Sequence, residues 1–179
     1  MDKQEIIDRG AMYQEFLKEF EQGLSWFERW LWKQALGVAE GGVRIIWNRD
    51  STEPYLLRIY LYRTKTWGVY LHHFFRSDGD REVHNHPADK AVSLILTKGY
   101  LEHRWNPLRH LMEEIDVKPW AINWIDKNDF HRVELVRGRC WTLFVRGQVP
   151  PQDGYDWGFL DVKTGHYTPW GEYVEKTDG

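Results

Sequence analysis

The sequence is poor in cysteine and in long apolar runs. Cys140 is the single thiol among 179 residues, so no disulfide can form within the chain. The first five residues are mostly charged or polar and lack the apolar core of a signal peptide, and no stretch approaches the roughly 20 apolar residues that span a bilayer. We therefore expect a soluble, cytoplasmic protein that has no membrane partner.

A strong excess of positive charge is also missing. The net charge is −3 and acidic and basic residues are interspersed, so the chain has no general attraction for a phosphate backbone and nucleic acid is not a favoured partner. Aromatic residues are abundant instead, with 11 Trp, 9 Tyr and 8 Phe. Such density is typical of a large core, and also of a barrel interior that binds a small-molecule substrate.

An apolar stripe runs through the first part of the chain. Its members recur at steps of three and four residues, the period of an amphipathic helix between about residues 3 and 35. The stripe consists of Tyr13, Phe16, Leu17, Phe20, Leu24, Phe27 and Leu31. Gly10 and Gly23 are candidate breaks. We interpret residues 1–40 as an N-terminal helical cap.

From residue 43 onward the pattern changes to short runs rich in Ile, Val, Tyr and Trp, separated by Gly, Pro, Asp and Asn. Eight strands are predicted, at 43–47, 55–62, 67–75, 91–97, 100–105, 120–125, 131–135 and 140–145. A mainly β sandwich or barrel over residues 43–147 follows, and a parallel βαβ fold is disfavoured. Residues 148–179 are rich in aromatics that need burial, so we expect this segment to pack on the barrel within one domain, 1–179.

Three histidines form the most informative pattern. His84 and His86 are two residues apart, so in an extended strand both imidazoles point the same way and can hold one metal ion. His131 follows 45 residues after His86 and alternates with apolar Val133, which argues that it faces the interior. We predict His84, His86 and His131 as metal ligands. The alternative is that these histidines lie at the surface or satisfy hydrogen bonds.

These segments resemble the two motifs of the cupin superfamily. His84-Asn85-His86, with Gly99 after the following strand, resembles the first motif, and Asn128-Asp129-Phe130-His131 resembles the end of the second. The resemblance covers about residues 55–147 and implies a double-stranded β-helix barrel. The glutamate expected of a cupin is absent, because Lys90, Ala91 and Val92 occupy its positions. Asp89 could replace it as a ligand, or it could fix the turn after Pro87 or orient a histidine; both readings stay open.

A three-histidine site is similar to that of the thiol dioxygenases in this superfamily, and residues 131–134 resemble a segment of cysteine dioxygenases. The Ser-His-Tyr relay of those enzymes has no counterpart here, so cysteine is unsupported as the substrate. The resemblance implies a divalent metal, with Fe(II) favoured over Zn, Mn or Ni. We expect an Fe(II) oxygenase acting on a small molecule. The alternatives are a redox-silent isomerase or lyase and a non-catalytic binding protein, and cupin relatives suggest a homodimer.

Side-chain alternation supplies further candidates. Leu101, His103 and Trp105 share the more apolar face of their strand, which predicts that they point inward. His103 is then a candidate base near the metal or a buried, hydrogen-bonded histidine, and Trp105 is a candidate wall of the substrate site. Arg146 could bind a substrate carboxylate at the barrel mouth or lie solvated at the rim. Asp89 and His103 are thus the catalytic candidates, and Arg146 and Trp105 the substrate-binding ones.

Overall fold

The computed structural model describes residues 3–39, 41–47, 53–78, 82–147 and 157–172, with the backbone alone for residues 3–12. The chain divides into two compact units, Met1–Val38 and Ala39–Gly179. The first is helical, and the second contains every strand that the structure describes.

Two helices, α1 (Lys3–Gln22) and α2 (Trp26–Val38), replace the single interrupted helix expected from the apolar stripe. The break falls at Gly23, and Gly10 lies within α1. Ser25 begins α2 with a capping box, in which its amide donates to Glu28 Oε2 (3.1 Å) and the Glu28 amide donates to Ser25 Oγ (3.4 Å). No helix in the described ranges is both long and apolar enough to cross a membrane.

The second unit is antiparallel β structure. Its strands are β1 (Val43–Trp47), β2 (Pro54–Arg63), β3 (Gly68–Phe74), β4 (Val83–His84), β5 (Lys90–Ile95), β6 (Tyr100–Asn106), β7 (Leu111–Val117), β8 (Ile122–Asp126), β9 (His131–Glu134), β10 (Cys140–Gly147), β11 (Gly158–Asp161) and β12 (His166–Pro169). They form two six-stranded sheets, one in the order β1-β2-β3-β10-β5-β8 and the other in the order β12-β11-β4-β9-β6-β7.

The strand order identifies the architecture. When β3 to β10 are counted from one to eight, the first sheet contains strands 1-8-3-6 and the second contains strands 2-7-4-5. This order is the jelly roll of cupin-type barrels, in which consecutive strands alternate between two facing sheets except for the fourth and fifth, β6 and β7, which form a hairpin in the second sheet. The prediction of a mainly β, double-stranded β-helix is confirmed. β1 and β2 extend one sheet, and β11 and β12 extend the other.

Eight strands lie close to their predicted positions, and four were not predicted. β4 has only two residues, too few for any periodic pattern. β7 carries Glu113 and Glu114 in its centre and is mostly solvent-accessible, so it lacks the apolar alternation of a half-buried strand. β11 and β12 belong to the C-terminal segment. β11 pairs with β4 and β12 pairs with β11, which places both in the sheet that carries two of the predicted metal ligands.

An apolar cluster joins the two sheets. It consists of Ile95, Tyr100, Val117, Val133 and Cys140, with Ala121 and Leu135 packed against it. Burial raises the pKa of the Cys140 thiol to about 11, which makes it a packing residue with little thiolate character. The buried residues of the sheets also include polar ones, among them Glu102, Asn123 and His131.

Candidate metal centre

The structure brings the three predicted ligands together. β4 and β9 are antiparallel neighbours in which His84 lies directly opposite His131, and His86 follows immediately after β4. One ring nitrogen from each histidine lies within 4.8 Å of the other two. The Nε2 atoms of His86 and His131 are only 2.7 Å apart. Three imidazoles from two strands and a turn therefore converge on one point.

A buried glutamate holds one of these imidazoles, and the sequence analysis did not find it. Glu102 on β6 is 0 % exposed, and its Oε1 lies 2.5 Å from Nδ1 of His131. Nη2 of Arg104 donates to the same Oε1 at 2.9 Å, and Nδ2 of Asn123 donates to Oε2 at 3.0 Å. The carboxylate of Glu102 accepts a hydrogen bond from Nδ1 of His131, which leaves Nε2 of this ring facing the other two histidines.

The protonation states suit a metal. Burial lowers the pKa of His84 to about 4, with a smaller contribution from His131, and burial also holds the pKa of His86 well below its usual range. Burial alone would raise the pKa of Glu102, but hydrogen bonds from His131 and Arg104 outweigh it and the pKa is lowered. At neutral pH His84 and His86 are neutral and Glu102 is an anion.

The chemistry of this donor set fits a divalent transition metal. Neutral imidazole nitrogen is a good ligand for Zn, Fe, Ni and Cu, and a carboxylate that accepts from the far ring nitrogen of a ligand is the usual supporting contact. His84, His86 and His131 would hold the ion. Within the part of the chain that the structure describes, no carboxylate joins this group.

Asp89 lies elsewhere. Its carboxylate faces Lys127 Nζ at 3.8 Å, and its carbonyl accepts from the Lys127 amide at 3.0 Å. It lines a surface pocket together with Trp67 and Lys90, outside the histidine group. The geometry therefore does not support Asp89 as a ligand of this group.

The inward orientation predicted for His103 and Trp105 is wrong. Register pairs His131 with Arg104, so Arg104 and Glu102 share the face that carries the metal ligand, and His103 and Trp105 lie on the other face. His103 Nε2 contacts Glu134 Oε2 at 2.7 Å, and the ring of Trp105 packs 6.0 Å from that of His110. Sequence alternation selected the wrong face because the interior at this point is polar.

The facing sheet supplies the aromatic wall of the site. Phe144 on β10 lies 5.8 Å from the ring of His86 and 5.1 Å from the ring of His72 on β3. Arg146 follows on the same face of β10, with its guanidinium 6.0 Å from the centre of the Tyr70 ring. The geometry places Arg146 at the interior beside Tyr70, as a substrate-binding residue requires; binding itself stays a prediction.

The C-terminal segment closes another side. Phe159 on β11 pairs with His84 and packs 5.9 Å from its ring, and Trp170 stacks 5.9 Å from Phe159. Trp157 stacks on Trp170 with ring centres 4.1 Å apart. These aromatics cover one side of His84.

Comparison with known proteins yields structural likenesses only. No family model matches, and no curated protein matches. Hydroxypropylphosphonic acid epoxidase from S. wedmorenis is 14 % identical with a TM-score of 0.45, covering 58 % of this chain and 55 % of its own. A cupin superfamily protein from Desulfitobacterium hafniense is 16 % identical (TM-score 0.41, 59 % of this chain, 91 % of its own), and a cupin protein from Bacteroides fragilis is 14 % identical (0.41, 55 % and 81 %).

This chain spans little more than half the length of the epoxidase that it matches. The assignment of the fold rests on the strand order of this chain. What the chain itself shows is a double-stranded β-helix of the cupin type, whose two sheets enclose a cluster of three histidines.

Proposed function

We propose that the protein is a metal-dependent enzyme, a mononuclear non-haem Fe(II) oxygenase that acts on a small molecule between the two sheets. One observation carries the proposal. The ligand atoms of His84, His86 and His131 lie within 4.8 Å of one another, in a polar interior lined with aromatic rings. A structural role alone does not require three imidazoles, one buried and two half-buried, to converge.

The bound ion would supply Lewis acidity and, as Fe(II), activation of dioxygen, with coordination positions left for substrate. The protein's own residues do the rest. Glu102 fixes the ring of His131 and its tautomer, and Arg104 and Asn123 in turn hold Glu102. The rings of Phe144 and Phe159 pack against His86 and His84 and keep water from the reacting atoms.

A redox-silent isomerase or lyase is the second candidate. The observation that favours it is the absence of a carboxylate from the histidine group in the described residues, since an all-imidazole set is equally suited to Zn. The two candidates differ in one requirement. The oxygenase consumes dioxygen, and the redox-silent enzyme turns over without it.

Elemental analysis of protein purified without chelators tests the site, followed by oxygen-uptake screening with small metabolites. We expect about one metal ion per chain in the wild type and almost none in His86→Ala. His86 is a suitable target because its side chain is only partly buried. His166→Ala is the control, since His166 is an exposed histidine on β12 and outside the cluster.

The outcomes separate the candidates. Iron in the wild type together with substrate-dependent oxygen uptake supports the oxygenase. Turnover under argon with Zn, Mn or Ni supports the redox-silent enzyme and refutes the oxygenase. A folded wild type that stays free of metal after incubation with each of these ions contradicts both, and the histidines then act as structural groups.

A further inference from the structure

Two arginines of the interior approach the same aromatic ring. The guanidinium carbon of Arg58, on β2, lies 5.3 Å from the centre of the Tyr70 ring, and that of Arg146, on β10, lies 6.0 Å from it. Among the described residues, no carboxylate lies within ion-pair distance of either arginine. Two positive charges therefore face one ring without a negative partner in the part of the chain that the structure describes.

The contacts of Arg58 fix its orientation without neutralising it. Its Nε donates to Nε2 of His72 at 2.9 Å, and Tyr60 is its other hydrogen-bonding side chain. Neither partner is a carboxylate. Burial lowers the pKa of Arg58, which reflects the cost of holding an unpaired cation away from water. Nε of Arg146 is likewise buried, and no described residue accepts a hydrogen bond from it.

These arginines adjoin the histidine cluster. His72, which accepts from Arg58, stacks 5.1 Å from Phe144, and Phe144 packs 5.8 Å from His86. A single small molecule can therefore reach the arginines with one end and the cluster with the other.

We propose that Arg58, assisted by Arg146, binds the carboxylate of a small organic acid whose reactive end lies at the three histidines. A guanidinium binds a carboxylate through two parallel N–H···O contacts, and a buried cation without an acid gains most from such a partner. The ring of Tyr70 lies beside both guanidinium groups and bounds the site. The role of this molecule as a substrate rests on the proposed function; its binding does not.

Isothermal titration with benzoate and with benzamide, its neutral analogue, tests the inference on the full chain. We expect benzoate to bind at least tenfold more tightly than benzamide. Arg58→Met should lower the affinity for benzoate by at least tenfold. Arg58→Lys and Arg146→Met should each lower it by a smaller factor than Arg58→Met. Arg63→Met is the matched control, because Arg63 lies on the same strand over the ring of Tyr60 at 5.9 Å but is exposed. It should bind benzoate as the wild type does.

The inference is overturned if benzoate and benzamide bind alike, if neither benzoate nor acetate binds the folded protein, or if phenylphosphonate binds in place of benzoate. It is also overturned if folded Arg58 and Arg146 variants retain wild-type affinity. If circular dichroism shows that Arg58→Met is unfolded, the benzoate affinities of Arg58→Lys and Arg146→Met test the inference in its place. Metal analysis of the same samples separates the two proposals. A protein that holds metal but does not bind benzoate contradicts this inference alone. A protein that binds benzoate but holds no metal contradicts the proposed function alone.

Discussion

At the scale of single residues, Glu102 governs the geometry of the metal centre. Replacing it with Gln keeps the volume and removes the charge that accepts the proton of His131 Nδ1. We expect Glu102→Gln to lower the affinity for Zn or Co(II) by about 10- to 100-fold, because a misoriented imidazole binds metal poorly. Competition with a chromophoric chelator measures this affinity.

The chain offers a close control for that experiment. Glu134 makes the same kind of contact with His103, at 2.7 Å, on the opposite face of the second sheet. Glu134→Gln should leave the metal affinity unchanged. A Glu102→Gln variant with wild-type affinity would mean that the carboxylate contributes packing only, and a loss in Glu134→Gln would restore His103 as a candidate base near the metal.

At the scale of elements, the β5–β6 connection depends on one glycine. Gly99 has a φ of +79°, and a Cβ there would collide with the carbonyl of Val117 and lie 3.2 Å from Cα of Lys118. We expect Gly99→Ala to lower the free energy of unfolding by about 1–3 kcal/mol through backbone strain and displacement of β7. Urea denaturation followed by tryptophan fluorescence measures the change.

Gly165→Ala isolates the contribution of the backbone. Gly165 has a φ of +71° in the β11–β12 turn, with open space where a Cβ would stand. Gly165→Ala should lower the free energy of unfolding by about 1 kcal/mol, because only the left-handed backbone conformation is unfavourable for alanine there. Equal losses in the two variants would show that the close approach to Val117 has no energetic consequence.

At the scale of the whole molecule, a buried histidine couples stability to pH. His73 lies in the first sheet between Phe75 and Trp141, both with ring centres 4.6 Å away, and burial lowers its pKa to about 3. Its pKa in the unfolded chain is about 6.5, so between these values the unfolded state binds more protons. Stability therefore falls as the pH drops below about 6.5, by about 2 kcal/mol at pH 5 from this residue alone.

Urea denaturation at pH 7 and pH 5 measures the effect. His73→Gln removes the titrating group, so the free energy of unfolding should fall by about 2 kcal/mol less between pH 7 and pH 5 than in the wild type. This difference does not depend on how far the substitution lowers the free energy of unfolding at pH 7. His166→Gln, at an exposed position, should keep the wild-type loss. An unchanged loss in His73→Gln would show that other groups cause the acid sensitivity. A homodimer and a cytoplasmic location stay predictions at this scale.

How far the sequence predicts the site depends on the residue. The sequence predicts His84 and His86 as ligands because side chains two residues apart in an extended segment point to the same side. It predicts His131 because this residue alternates with apolar neighbours. Glu102 alternates with Leu101 and His103, so the inward orientation predicted for those two residues puts Glu102 on the outer face, which is wrong. Polarity indicates the outer face only where the interior is apolar, and here the interior contains the ligands, their carboxylate and the arginines.

The sequence by itself determined the class of fold, the positions of eight strands and the identity of the three histidines, because these depend on local periodicity and short spacings. The tertiary structure decided which faces meet. In the folded chain Glu102 on β6 contacts His131 on β9, and Arg58 lies beside Tyr70 and His72. His103 contacts Glu134 on the other face of the sheet, away from the cluster. Strand register and sheet order set these contacts, and both arise from pairing between segments that are distant in the chain.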